Sequence, residues 1–225
     1  MRIKHTIAAL AVTTLAANAA QVITSYSTVD PASGNDNNQA GPMFGQSITV
    51  NVGADTADAS IPPTVYIEEL SFQYSSSASG GAPDGVYIHV YDAFAVDGSA
   101  NPTTIGSLVA VSTNTVDMSA LSGNEQLTWT FTGADAIAKG TSYAYIFASD
   151  TTAATVGNDG NLLGIGAELD VGEPYTGGQA FRANGTQSDW DMAFELKTNT
   201  VAVPEPSSAA LLGLGGLALI MRRRK

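Results

Sequence analysis

Between residues 20 and 200, hydrophobic and polar residues alternate over short stretches, as in β-strands whose two faces meet different surroundings. In one such stretch Val86, Ile88 and Val90 share a face, and Tyr87, His89 and Tyr91 lie on the opposite face. Other predicted strands include Ile48–Val52, Val65–Tyr74, Leu108–Val111, Leu127–Phe131, Tyr143–Ala148, Leu162–Leu169 and Trp190–Leu196. No long stretch has helical periodicity, and only Asp135–Lys139 is predicted to form a helical turn.

The alternation changes phase within one of these stretches. Val65 and Ile67 share one parity, whereas Leu70 and Phe72 share the other. Because side chains alternate strictly along a strand, such a change requires one extra residue. We therefore predict a β-bulge at Glu68-Glu69.

Turn-forming pairs such as Asp97-Gly98, Lys139-Gly140 and Asp159-Gly160 separate the predicted strands. Eight or so short strands divided by turns are typical of an antiparallel, jelly-roll-like β-sandwich. The sequence thus predicts an all-β domain over residues 20–199, with its ordered core at about 44–198 and Asp30–Gly41 as a loop. The expected core includes Val86, Ile88, Trp129, Phe131 and Ile146.

Residues 1–19 are predicted to be a secretion signal peptide. Arg2 and Lys4 supply the positive start, and Ile7–Leu15 form an apolar run too short to span a bilayer. Ala17 and Ala19 provide the small residues that precede a cleavage site before Ala20.

Residues 200–225 have three parts in a fixed order. A short linker, Lys197–Val203, leads into Val203, Pro204, Glu205 and Pro206, where two prolines favour an extended backbone. An apolar, helix-prone stretch follows, Ala209–Met221, which would reach only about 20 Å against a hydrocarbon core of about 30 Å. The basic end, Arg222, Arg223, Arg224 and Lys225, would stay on the cytoplasmic side. A short anchor with an accessible outer segment suits recognition and removal; an ordinary C-terminal membrane anchor is the alternative.

This tail resembles the PEP-CTERM sorting signal. The resemblance rests on Pro204-Glu205-Pro206, on the glycines Gly213, Gly215 and Gly216, and on the basic end. It implies processing by an exosortase-like transpeptidase at the inner membrane, after transient membrane insertion of the short helix. It also implies a bacterial host that makes exopolysaccharide.

The central domain resembles the β-sandwich domains called choice-of-anchor, which precede interchangeable surface-anchoring tails. The matching features are Trp129-Thr130-Phe131, Lys139–Tyr143 and the closing strand with Trp190 and Phe194. This resemblance implies a fold and a cell-surface setting, and it assigns no functional residue.

Charge and composition exclude several classes of function. Residues 20–203 hold three basic and twenty acidic residues, a formal net charge of −17, which repels phosphate backbones and argues against nucleic-acid binding. The chain has no cysteine, so disulfides and metal–thiolate sites are impossible. His89 is the one histidine outside the signal peptide, which is too few for a zinc site, and no Gly-x-Ser-x-Gly motif accompanies it.

Three kinds of site remain as expectations. Tyr87, His89 and Tyr91 could form a carbohydrate-binding face, or a solvent-facing cross-strand cluster without a ligand. The pairs Glu68/Glu69 and Asp189/Asp191 could serve a glycosidase, but neither lies in a recognisable glycosidase motif, and solvated acids are the better interpretation. Loops containing Asp36, Asp150 and Asp159 offer oxygen ligands for calcium, and the same residues are common turn formers.

The sequence thus predicts an exported, non-enzymatic protein of the cell surface or extracellular matrix, reached through the inner membrane. Its expected role is structural or adhesive and linked to exopolysaccharide or biofilm. The alternative is a carbohydrate-binding or carbohydrate-active β-sandwich module. No cofactor other than calcium is suggested.

Overall fold

The computed structural model describes residues 21–24, 45–50, 63–73, 84–97, 101–119, 121, 125–165, 169–171, 175, 177–182, 185–186 and 190–199. Their strands are β1 (Gln21–Thr24), β2 (Gly45–Thr49), β3 (Thr64–Gln73), β4 (Tyr87–Tyr91), β5 (Phe94–Val96), β6 (Pro102–Ile105), β7 (Leu108–Val111), β8 (Gln126–Thr130), β9 (Ala136–Ala138), β10 (Ser142–Ala148), β11 (Leu169–Val171), β12 (Ala180–Arg182), β13 (Gly185–Thr186), β14 (Trp190–Met192) and β15 (Phe194–Asn199). These ranges contain no helix, and hence no helix able to span a membrane. The predicted signal peptide, Asp36, the sorting tail and its apolar helix lie outside them.

The strands form two large antiparallel sheets. The five-stranded sheet has the order β1-β15-β3-β8, with β9 also paired to β3. The six-stranded sheet has the order β13-β12-β2-β10-β4-β7. Two small sheets, β11-β14 and β5-β6, complete the fold. The prediction of an all-β, antiparallel domain is confirmed, and the jelly-roll connectivity stays a prediction.

One hydrophobic core, the inner core, joins the two large sheets. Trp129 of the five-stranded sheet lies in it fully buried, and its ring centroid is 5.6 Å from that of Phe147 in the six-stranded sheet. The Trp129 Nε1–H also donates to the Val86 carbonyl at 2.8 Å, which ties the sheets together. The five residues predicted to be buried are all buried, although Ile146 lies on the other face of its sheet.

The predicted bulge is present in β3. Lys197 pairs with Glu69 while the next residue, Thr198, pairs with Ile67, so Glu68 is the extra residue. The bulge lets Val65, Ile67, Leu70 and Phe72 all enter the inner core despite their opposite parities.

Two secondary-structure predictions are wrong. Residues 135–139 contain the strand β9 rather than a helical turn, because pairing with β3 buries Ile137 and overrides the local preference of its alanine neighbours. Leu162 forms only an isolated bridge to Ala148, and Ile165 is not in a strand. Leu162 and Ile165 pack into different hydrophobic clusters, so this segment passes from one face of a sheet toward the other.

The C-terminal strands also differ from the prediction. The stretch Trp190–Leu196 is two strands, β14 and β15, interrupted at Ala193, whose carbonyl accepts a hydrogen bond from Gln73 N at 3.0 Å. β15 continues to Asn199, so the predicted linker from Lys197 begins too early. β15 lies between β1 and β3, inside its sheet.

Close packing beside β2 gives a stability prediction. A Cβ on Gly178 would collide with the carbonyl oxygen of Ser47, which is backbone and cannot swing away. We expect Gly178→Ala to lower the free energy of unfolding by about 1–3 kcal/mol, measured by urea denaturation. Gly160→Ala is the control, because no heavy atom lies within 4 Å of its Cβ position. Equal stability of the two variants would contradict the packing described here.

Candidate functional site

The outer face of the six-stranded sheet, the face turned away from the inner core, holds the side chains predicted as a carbohydrate face. Tyr87, His89 and Tyr91 do share this face, as the alternation predicts. His89 and Tyr91 are nevertheless fully buried, and Tyr87 is half-buried. The expectation of a solvent-facing cluster is therefore wrong, and these residues do not form an open platform for a sugar.

A second hydrophobic cluster, the outer cluster, covers this face. Its buried members are Tyr91, Ala144, Ile146, Ala148, Ala154, Leu162 and Phe181, with Tyr87, Phe94, Ile105 and Leu108 packed against them. Ala154 and Leu162 come from the loop after β10, and Phe94 and Ile105 come from the β5-β6 hairpin. Both faces of the sheet are thus buried, which explains the almost continuous hydrophobic run in β10.

His89 and Tyr91 hold the loop after β10 through a chain of hydrogen bonds. His89 Nε2 lies 2.7 Å from the Asp150 carbonyl oxygen, which can only accept, so Nε2 carries the proton. Its Nδ1 then accepts from the Tyr91 hydroxyl at 3.0 Å, and that hydroxyl accepts from Ala154 N at 3.0 Å. Both ring nitrogens are engaged, so the neutral imidazole positions this loop.

The environment of His89 favours its neutral form. Burial lowers the pKa of His89 below its usual value of 6.5, and the nearby Asp150 only partly opposes this effect. Burial likewise raises the pKa of Tyr91, which therefore remains a hydroxyl at neutral pH. Both pKa shifts favour the uncharged forms of His89 and Tyr91, in agreement with a structural role for this face.

A pH dependence of stability follows from His89. Its folded-state pKa lies below the unfolded value, so the unfolded chain takes up the proton first as pH falls below about 6.5. We expect this contribution to stability to be complete above pH 6.5 and to be lost below it, by up to about 1.4 kcal/mol per pH unit. Urea denaturation from pH 7.5 to 5.5 should show a shallower slope for His89→Gln than for the wild type. If the free energy of unfolding of both proteins changed with pH at the same rate, the assigned role of His89 in this pH dependence would be contradicted.

In the described part of the predicted calcium loop, Asp150 and Asp159 make hydrogen bonds within the loop itself. Asp150 Oδ1 accepts hydrogen bonds from Thr152 N at 2.7 Å and Asn161 Nδ2 at 3.1 Å. The Thr152 bond is the first cause, and the Asn161 bond the second, of a lowered pKa for Asp150. Asp159 contributes its backbone carbonyl to Leu162 N. Within the ranges that the structure describes, no three acidic or histidine side chains converge on a metal position, and calcium binding stays a prediction.

The described members of the predicted acidic pairs are engaged with partners. Glu69 and Glu195 both contact Lys197, the latter at 3.2 Å, and these two contacts raise the pKa of the lysine. Glu68 accepts from Asn199 Nδ2 at 2.8 Å. Asp189 lies outside the described residues, so the distance that glycosidase chemistry would need from Asp191 stays untested.

Asp191 is a buried carboxylate that the sequence pattern did not reveal. It is 2% exposed, and its Oδ1 accepts from Gln46 Nε2 at 2.6 Å. Gln46 Oε1 in turn accepts from Met192 N at 2.9 Å, so the amide links β2 to β14. This pairing of a fully buried amide with a carboxylate fixes the position of β14.

A pocket of about 360 Å³ opens between the outer face and the β5-β6 hairpin. Strand residues on one side and the segment from Asp92 to Val96 on the other enclose it. Its lining is Ser47, Asp92, Ala93, Phe94, Ala95, Val96, Ser142, Ala144, Gln179 and Phe181. Sequence reasoning missed this pocket, because its residues come from four separate parts of the chain and share no motif.

Comparison with known proteins identifies the tail. Residues 202–225 match the family model of the PEP-CTERM protein-sorting motif, beginning three residues after Asn199, the last residue of β15. No curated protein and no solved structure is detectably similar to the chain. The motif points to export across the membrane toward the cell surface and to an exosortase-type processing partner. The chain thus has an all-β domain in the part that the structure describes, and it carries a PEP-CTERM sorting motif at residues 202–225.

Proposed function

We propose that this protein is a substrate of an exosortase-like transpeptidase, delivered to the bacterial surface or extracellular matrix for a non-catalytic role. That role is structural or adhesive and is linked to exopolysaccharide or biofilm. The observation that carries the proposal is the sorting motif at residues 202–225, which follows β15 almost directly.

The chemistry of the tail supports transient membrane insertion. The uncharged stretch Ala209–Met221 would span about 20 Å as a helix, less than the hydrocarbon core of about 30 Å. Such a segment holds the chain weakly, while the four basic residues after it oppose translocation. Removal of the tail would then free the domain on the outer side of the inner membrane.

The described domain supports a structural role in two ways. Its two cores bury both faces of the six-stranded sheet, which gives a rigid body without disulfides. Among its buried polar groups, His89 and the Gln46–Asp191 pair hold strands and loops in place through hydrogen bonds. The choice-of-anchor resemblance stays a prediction and agrees with this role.

A carbohydrate-binding module is the second candidate, and the pocket beside the β5-β6 hairpin favours it. This pocket combines two aromatic side chains with polar groups, as carbohydrate sites do. It replaces the Tyr87–His89–Tyr91 face, which is covered, as the place where a sugar could bind.

Retention on polysaccharides tests the proposed function. The full chain, kept soluble in mild detergent, is passed over immobilised exopolysaccharides, and release of reducing sugar is measured in parallel. We expect retention of the protein on polymer without sugar release. Sugar release would overturn the non-catalytic role, and absence of retention on every polymer would overturn the link to exopolysaccharide.

A further inference from the structure

We propose that the pocket between the outer face and the β5-β6 hairpin is a binding site for a neutral sugar ring of an extracellular polysaccharide. This inference rests on the proposed link to exopolysaccharide and names the residues that would carry it. The site shares the outer face with His89 but does not include Tyr87, His89 or Tyr91.

The floor of the pocket belongs to the rigid six-stranded sheet. Ser47 of β2, and Ser142 and Ala144 of β10, alternate with core residues, so they lie on the outer face. Gln179 is tied to β2 through its backbone, because its N–H donates to Ser47 Oγ at 2.9 Å and its carbonyl accepts from Ser47 N at 3.0 Å. The floor is therefore preformed.

Asp92 supplies a carboxylate held at the rim. Its Oδ1 accepts from Ser107 N at 2.7 Å, while its backbone N–H donates to the Ser107 carbonyl at 3.2 Å. A Cβ on Gly106 would collide with Asp92 Oδ1, so the glycine permits this close approach. Asp92 is exposed, and its Oδ2 makes no hydrogen bond with another described residue. A fixed carboxylate with one oxygen available is a strong acceptor for hydroxyl groups.

An aromatic pair lines the same pocket. The ring centroids of Phe94 and Phe181 are 5.2 Å apart, and their planes are inclined at 33°. Phe181 is buried and supports Phe94, which is half-buried. The carbon-bound hydrogens of a sugar ring give it an apolar face suited to packing on such a ring, while its hydroxyl groups reach polar neighbours.

The polar groups favour a sugar over an amine or a purely apolar ligand. The Gln179 amide offers both donors and an acceptor, and the Ser142 hydroxyl does the same. Neither side chain makes a hydrogen bond with another described residue. An ammonium group only donates and would leave the Gln179 N–H groups unmatched, whereas each sugar hydroxyl both donates and accepts.

The test uses the full chain in mild detergent with glucose, galactose, mannose, N-acetylglucosamine, cellobiose and maltose as probes. Saturation-transfer NMR identifies bound sugars, and calorimetry gives Kd. We expect at least one probe to bind, with Asp92→Asn weakening it about tenfold, since the asparagine oxygen still accepts from Ser107 N but the charge is lost. Phe94→Leu, which keeps an apolar side chain in the outer cluster, should weaken binding about fivefold.

Asp117→Asn is the matched control, because Asp117 Oδ1 also accepts a backbone N–H, from Ser119 at 2.9 Å, outside the pocket. It should leave Kd unchanged. Wild-type protein that binds no probe, or binding insensitive to Asp92→Asn and Phe94→Leu, overturns the pocket assignment. Preference for putrescine over every sugar would also overturn the pocket assignment, if about 0.5 M salt abolishes putrescine binding, because salt at that concentration screens an ion pair.

Retention on polymer separates this inference from the proposed function. Retention that persists in Asp92→Asn overturns the pocket and leaves the surface role standing. Binding of a free sugar at Asp92 without retention on any polymer supports the pocket and overturns the link to exopolysaccharide.

Discussion

Replacing Pro204, Glu205 and Pro206 with alanine is expected to leave the chain unprocessed and held at the membrane. The two prolines favour an extended backbone in this segment, and the glutamate is its only charge, so the replacement would remove the features that we expect an exosortase to recognise. Pulse-labelling and membrane fractionation should show the longer form accumulating, with little protein at the surface.

The control for this experiment is Ser207→Ala with Ser208→Ala, which changes the adjoining residues and keeps the Pro-Glu-Pro triplet. It should be processed as the wild type is. Mass spectrometry of surface-released wild-type protein should find no peptide ending in Arg222-Arg223-Arg224-Lys225. Release of protein with that terminus intact would show that the tail is an ordinary anchor and would overturn the sorting proposal.

Trp129→Ala is expected to lower the free energy of unfolding by about 3–5 kcal/mol. The indole is fully buried between the sheets and lies in edge or tilted contact with Phe72 and Phe147. Truncation leaves a cavity at the point where the two sheets meet. It also removes the 2.8 Å hydrogen bond to the Val86 carbonyl, although that oxygen still accepts from Val116 N. Chemical denaturation of the wild type and variant measures the loss.

Two further variants separate cavity from hydrogen bond. Trp129→Phe should cost less than alanine, because the ring contacts with Phe72 and Phe147 partly remain. Tyr145→Phe is the matched control within the same core, since its buried hydroxyl has no hydrogen-bond partner in the described structure. It should leave stability unchanged or slightly higher. A Trp129→Ala variant as stable as Tyr145→Phe would mean that the indole does not join the sheets.

Local alternation was enough to predict most of the strands. Hydrophobic patterns located β4, β7, β8 and β10 to within a residue at each end. β10 is an almost continuous hydrophobic run because both of its faces are buried, whereas β4 and β8 alternate because one face packs into the inner core. The phase change at Glu68-Glu69 revealed the bulge for the same reason. Alternation failed for the short strand β9, which exists because β3 provides a partner. A sequence of three residues does not indicate whether a neighbouring strand will pair with it.

The candidate sites show more clearly what the sequence could not predict. The sequence correctly placed Tyr87, His89 and Tyr91 on one face, but alternation states only that two faces differ and not that one meets water. Here the second face is covered by the hairpin β5-β6 and the loop after β10. The burial of Asp191 was equally invisible, because the amide that pairs with it, Gln46, is 145 residues away.

The sequence by itself determined the sorting tail, the antiparallel β character, the bulge and the strongly acidic domain, since each depends on neighbouring residues or on composition. Only the tertiary structure decided which faces are buried, that His89 is a neutral structural residue, and where a pocket opens. The physical reason is that burial and pocket shape arise from contacts between segments far apart in the chain. Ser47, Phe94, Ser142 and Phe181 line one pocket only because the fold brings their strands together.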